Sequence, residues 1–201
     1  FCVYLLVHKQ KYGELDRPCM VPALVMCDPE SCLLRHTHVV KASFGGDASG
    51  SYISVVCHTY REIIILSIPE PLREAIRRTL RLPEDHLMHD FMIAVAEHLV
   101  PLFALKQWGA RFQADGYPAA WYYTDSQNSM AWARSGFAVN DMAQEICRCL
   151  SILQAVHTMH LLPVWLGTKV NFIADICTRM YNAVGQIIPT EFEKFQEANE
   201  L

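Results

Sequence analysis

The spacing of hydrophobic and polar positions changes several times along the chain, and each change marks an element. Residues 1–35 carry turn signals at Tyr12-Gly13, Arg17-Pro18 and Asp28-Pro29 but no sustained period. Val39, Val40, Ala42 and Phe44 then run into Gly45-Gly46-Asp47-Ala48-Ser49-Gly50, which reads as a strand ending in a glycine-rich turn that carries an acid. Residues 52–60 and 62–68, rich in Ile and Val, predict two further strands with a tight connection at Tyr60-Arg61. Together the three form an antiparallel meander.

Pro69 closes the third strand, and residues 70–90 read as an inserted excursion. Within it Leu72, Ile76, Leu80 and Leu82 indicate a short helix that Pro83 ends. Residues 95–112 predict a largely buried helix, with Leu99, Leu102, Phe103, Leu105 and Trp108 around most of its circumference and Gly109 near its end. Proline is tolerated in a first helical turn, so Pro101 places the start of this helix near Glu97. Gly116-Tyr117-Pro118 turns the chain into Trp121, Tyr122, Tyr123 and Thr124, aromatic and β-branched residues that suit a short buried strand. Asp125 follows where that strand stops. Asp125 or Ser126 can cap the next helix, which carries Met130 and Ala133 on one side until Ser135-Gly136 breaks it. Residues 141–160 read as an amphipathic helix through Ala143, Ile146, Leu150, Leu153 and His157, and residues 161–166 as a last strand. After a loop at 167–171, Asn171 is placed to cap a terminal helix with Ile173, Ile176 and Met180 on one side and Asp175 early in it.

Composition narrows the class of protein. A chain of 201 residues, 52% hydrophobic and 19% charged, can bury one sizeable core and is too apolar for disorder. Its most apolar long window, residues 150–166, is broken by Gln154, His157, His160 and Pro163, so no membrane span is expected. The opening apolar run has its positive charge after it, the reverse of a secretory signal, and the start at Phe1 suits a piece of something longer. Eight cysteines without an export signal point to a reduced, intracellular chain in cytoplasm or nucleus. Cys147 and Cys149, two apart in a helix, face different ways and do not build a zinc site with His157 and His160. His86, His89 and Asp90 read as scattered surface residues. A net charge of −4 gives no basic footprint, so contact with nucleic acid rests on local patches.

Candidate chemistry comes from four acids. Asp47 ends the first strand, Glu97 opens the long helix, Asp125 ends the fourth strand and Asp175 opens the last helix. In a mixed sheet with the first strand central and the fourth beside it in parallel, these points meet at one end. At ~5 Å and an effective dielectric of ~20, each like-charged pair costs about 3 kcal/mol. Such a set needs cations or must hold protons. All-carboxylate sites suit Mg²⁺ or Mn²⁺, and two such ions can activate a water and stabilise the leaving oxygen of a phosphodiester.

The motifs around these acids resemble the ribonuclease H domain, in the form found in reverse-transcribing retroelements of the DIRS-like, tyrosine-recombinase-bearing type. Asp47-Ala48-Ser49 looks like that family's first-strand acid, and Glu97 through Trp108-Gly109 is similar to its acid-headed helix ending in Trp-Gly. Thr124-Asp125-Ser126-Gln127 and Asn171 through Ala174-Asp175, with Arg179 following, resemble its remaining motifs. The resemblance covers roughly residues 40–182. It implies an α/β fold, a ribonuclease-H-like five-stranded mixed sheet of order 3-2-1-4-5 flanked by helices. It divides the chain into a lead-in segment 1–38, expected as the end of an upstream domain, the domain proper at 39–182 and a C-terminal extension 183–201. It further implies a two-metal site (Mg²⁺ or Mn²⁺) on Asp47, Glu97, Asp125 and Asp175 that cleaves the RNA strand of RNA/DNA hybrids, beside a reverse transcriptase domain. Gln127, Asn128 and Lys169 are implied on the substrate, with Arg111 and Arg134 as further basic candidates. The family often has His ten residues before its last Asp, and Trp165 stands there: either it ends the fifth strand and packs on the sheet with the loop shifted, or hydrolysis is expected to run on the metals alone with slow turnover. The alternative is a non-catalytic domain of the same fold that binds hybrid or scaffolds a reverse transcriptase.

Overall fold

The structure, a computed structural model, describes residues 41–79, 90–167, 169–182 and 185–199; the lead-in segment 1–38, His86 and His89 lie outside them. Strands β1 (Ala42–Ala48), β2 (Tyr52–Cys57) and β3 (Glu62–Ser67) form the expected meander, with Arg61 in the left-handed region (φ 56°) at the second turn. Helices α1 (Glu70–Thr79) and α2 (Asp90–Ala114) follow, then β4 (Ala119–Thr124), which pairs with β1 in parallel. Helices α3 (Gln127–Ser135) and α4 (Asp141–Val156) cross over to β5 (His160–Trp165), parallel to β4, and α5 (Phe172–Arg179) and α6 (Pro189–Asn199) close the described chain. The sheet order is β3-β2-β1-β4-β5, a ribonuclease-H-like α/β fold. A hairpin needs only a tight turn, whereas each parallel neighbour requires a helical crossover, and the chain supplies one before β4 and one before β5.

Glycines 45 and 46 lie within β1, not in a turn after it, so Asp47 is a strand residue paired with Ser54. The reason is packing. A Cβ at Gly46 would stand 2.5 Å from Val100 Cγ1 and closer still to the Ser54 carbonyl, so the bare backbone lets α2 and β2 close on β1. Helix α2 crosses β1 and β2 and buries Val95, Ala96, Val100, Ala104, Leu105, Trp108 and Phe112. It starts earlier and ends later than its sequence pattern predicts. Gly109 is therefore interior, where it leaves room for the His157 ring at the end of α4 instead of capping α2.

Pro101 is interior too, and Glu97 sits about two turns into the helix rather than in its first. The amide hydrogen that Pro101 lacks would have bonded the Glu97 carbonyl. That carbonyl accepts from the Tyr122 hydroxyl at 3.3 Å. A side chain of β4 thus replaces the missing donor and ties the acid-bearing turn of α2 to the strand leading to Asp125.

Helix α5 packs on β1 and β2 from its own side, through the small residues Ala174, Cys177 and Thr178 rather than the expected Ile173 and Ile176, which are only partly buried. The Ser54 hydroxyl donates to the Ala174 carbonyl at 2.8 Å and holds this close approach. Beyond it, Tyr181 bridges Ile187, and α6, in the segment 183–201 set apart as a C-terminal extension, packs on α5.

Gly46→Ala should lower stability in urea by about 1–3 kcal/mol, because backbone must shift to admit the methyl. Gly45→Ala, whose Cβ would meet Tyr123 no closer than 3.2 Å, should cost clearly less. Equal losses at the two positions would contradict this packing.

Candidate metal centre

Asp47 is carried by β1, Asp125 follows the last residue of β4, and the two strands run in parallel, so both acids lie toward the carboxyl end of the sheet. Glu97 reaches the same place from α2. One carboxylate oxygen each from Asp47, Glu97 and Asp125 lies within 4.8 Å of the others. Asp47 is buried, and the other two are partly exposed.

The donors that reach these acids are neutral. The Thr178 hydroxyl donates to Asp47 Oδ2 at 3.2 Å, and the Ser126 hydroxyl serves Glu97. Asn171 Nδ2 lies 3.3 Å from Asp125 Oδ1 and 3.0 Å from the Gly46 carbonyl. None of these donors cancels a charge. Burial, with the Asp125 charge adding to it, pushes Asp47 up to about 6. Burial likewise pushes Glu97 up to about 7, with Asp47 and Asp125 adding and the Ser126 hydrogen bond opposing. The trio is therefore arranged to hold either protons or a cation.

Of the four acids expected to converge, the structure brings three into one group and leaves Asp175 outside it. Asp175 Oδ1 is paired with Arg179 at 2.6 Å, one helical turn on. Its charge still reaches Asp47 and contributes to the raised pKa there. Asn171 also departs from expectation: its side chain makes no capping hydrogen bond to α5 and instead bridges β1 to Asp125. Asn171 and Thr178 orient the acids and were not anticipated in that role, although both flank the Ala174-Asp175 motif. Ser126, not Asp125, caps α3, accepting from Ser129 N at 3.2 Å. That leaves the Asp125 carboxylate free for the cluster.

Behind Glu97 lies a buried polar chain. His98 is fully buried, with Nδ1 3.2 Å from Ser129 Oγ and Nε2 3.3 Å from Cys147 Sγ. Ser129 Oγ is also 2.9 Å from the Tyr122 hydroxyl, which donates to the Glu97 carbonyl. Burial pushes His98 down to about 4, so the ring is neutral at pH 7 and can both donate and accept. This chain joins α2, α3, α4 and β4 directly behind the acid cluster. Cys147 is buried and Cys149 exposed, as their two-residue spacing implies.

Gln127 and Asn128 are exposed in the first turn of α3, beside Asp125, and Lys169 is exposed in the connection from β5 to α5. Arg134 lies in the last turn of α3. Arg111 is committed elsewhere, bonded to Glu62 at 2.6 Å and lying 3.6 Å over the Tyr60 ring near the end of α2. Trp165 ends β5 in register with Thr124; it is 48% exposed, and its Nε1–H donates to the Asp125 carbonyl at 3.0 Å.

No family model and no curated protein matches this chain. The donor chemistry carries the reading of the site: three carboxylates with no thiolate or imidazole among them suit a hard divalent cation. No helix among the described residues is long and apolar enough to cross a membrane.

Carboxyl groups whose pKa is raised by folding favour the folded state most below their unfolded values near 4. That contribution is lost as pH rises through about 6 and 7. The melting temperature of metal-free protein should accordingly fall from pH ~4.5 to ~7.5 by more than that of Asp47→Asn. At pH 7.5, Mg²⁺ at ten times its Kd should return about 1.4 kcal/mol of stability, and Asp125→Asn should abolish that gain. A parent protein whose melting is indifferent to Mg²⁺ would count against a cation site.

Proposed function

We propose that this chain is a divalent-metal-dependent nuclease that hydrolyses the RNA strand of RNA/DNA hybrids, working beside a reverse transcriptase domain in a retroelement polyprotein. The observation that carries the proposal is the meeting of Asp47, Glu97 and Asp125 within 4.8 Å at the carboxyl end of a β3-β2-β1-β4-β5 sheet. The motif resemblance around these same residues supports the choice of substrate.

Asp47 and Asp125, on adjacent parallel strands, would hold Mg²⁺ or Mn²⁺ together with Glu97, and Asp175 stands at the edge of the site. Two ions bound there would supply an activated water and a counter-charge for the leaving oxygen. The protein's own part is positioning. Asn171 and Thr178 fix the directions of the Asp125 and Asp47 carboxylates, and Tyr122 fixes the turn that carries Glu97. Gln127 and Asn128, exposed amides beside Asp125, would read 2′-hydroxyls in a minor groove, the feature that separates RNA from DNA. Lys169 offers a cation to the phosphate backbone.

The Asp175–Arg179 pair favours a second reading, because an acid committed to an arginine is withheld from a second ion. On that reading the domain binds hybrid without cutting it. Incubation with labelled RNA/DNA hybrid, beside duplex DNA and duplex RNA, separates the two. A nuclease should cut only the RNA of the hybrid, only with Mg²⁺ or Mn²⁺, and Asp47→Asn and Asp125→Asn should fall to the metal-free background. Hybrid binding without cleavage in either metal would leave only the second reading.

A further inference from the structure

Ser129 lies in the first turn of α3 and is fully buried, and both of its polar groups lead to Glu97. Its backbone N–H donates to Ser126 Oγ at 3.2 Å, and the Ser126 hydroxyl serves the Glu97 carboxylate. Its own hydroxyl is 2.9 Å from the Tyr122 hydroxyl, which donates to the Glu97 carbonyl at 3.3 Å. One route holds the carboxylate and the other holds the main chain behind it. Counting hydrogens fixes the direction of the second route. A carbonyl only accepts, so the single Tyr122 hydrogen is spent on Glu97. Ser129 must then donate to Tyr122, which leaves its oxygen to accept from His98 Nδ1, 3.2 Å away. The buried His98 ring is neutral and carries one hydrogen, so it is the Nδ1–H tautomer, and its Nε2 accepts from the Cys147 thiol at 3.3 Å. Pro101 offers the Glu97 carbonyl no amide hydrogen, and the bond driven by Ser129 through Tyr122 fills that place.

We infer that Ser129 is a positioning residue for the cation site, setting the place of Glu97 relative to Asp125; this rests on the metal-dependent reading above. Asp125 directly precedes Ser126, the cap of α3, so the acid and the turn that carries Ser129 are one short piece of chain. A buried residue in that turn that also holds Glu97, on a different helix, sets the spacing of the two acids. Without this tie, Glu97 belongs to a helical turn that lacks one of its bonds, and its carboxylate is held less firmly for a cation.

In metal-free protein near neutral pH, the ring-nitrogen NMR shifts of His98 should be those of the Nδ1–H tautomer. The Nε2–H tautomer would send the Ser129 hydrogen to His98 and overturn the route to Glu97. Mn²⁺ titrations well below the melting temperature supply the second arm. Ser129→Ala, which keeps the backbone bond to Ser126, and Tyr122→Phe should each weaken Mn²⁺ binding by about 2- to 10-fold, the range for one hydrogen bond. Because the two act in series, the double variant should bind no more weakly than either single one, and losses that multiply would overturn the series. Pro101→Ala returns an amide hydrogen to the Glu97 carbonyl, so Tyr122→Phe should cost little in that background. Lost packing would show no such rescue, and its absence would overturn the role assigned to the carbonyl. With hybrid, kcat should fall in Ser129→Ala while KM holds. Unchanged Mn²⁺ affinity in folded Ser129→Ala would overturn the positioning role while leaving the nuclease standing. A parent protein with the Nδ1–H tautomer that binds no Mn²⁺ would overturn the metal reading, and the positioning role with it. Should Ser129→Ala fail to fold, Tyr122→Phe and its rescue by Pro101→Ala decide.

Discussion

Three carboxylates held within 4.8 Å of one another, one of them buried, repel each other and lose hydration at the same time. The surrounding residues act to hold the acids in place. Neutral donors from Asn171, Thr178 and Ser126 orient the oxygens without discharging them, which leaves a cluster that could hold a cation. Burial first, and the neighbouring carboxylates second, raise Asp47 and Glu97 toward neutrality.

Holding that arrangement falls to packing that tolerates little change. Gly46 lets α2 and β2 approach the strand that carries Asp47, and the small face of α5 brings Asn171 and Thr178 in from the other direction. Pro101 and Tyr122 work as a pair: one frees the Glu97 carbonyl from the helix ladder, the other claims it for β4. Ser129 and neutral, fully buried His98 extend that linkage to Cys147 on α4. A polar chain of this kind, with each member satisfied, specifies one relative placement of α2, α3, α4 and β4.

The strands and the four candidate acids could be read from local signals, whereas the strand order came with the family resemblance, and three of the four acids meet in the structure. Aromatic and β-branched residues ending in Asp125, and the run from Val39 to Phe44 ahead of Asp47, mark strands that lead to acids, and parallel pairing of β1 with β4 does the rest. Tertiary contacts decided what could not be read. Gly45-Gly46 looks like a turn until Val100 and Ser54 are seen against it, and Pro101 looks like a helix start until Tyr122 is seen to replace the lost donor. Asn171 has the ordinary look of a cap, yet Asp125 and Gly46, far away in sequence, claim its amide. Arg179 lies one turn beyond Asp175, a spacing that already favours an ion pair, and Asp175 makes that pair while lying outside the trio.

Crystals grown with Mn²⁺ above neutral pH would test the central claim most directly, because the ion's anomalous scattering locates it without reference to activity. An anomalous peak within coordination distance of Asp47, Glu97 and Asp125 is the expected result. Acids that stay metal-free at millimolar Mn²⁺, with Asp47 and Glu97 sharing protons instead, would contradict the reading of this cluster as a cation site.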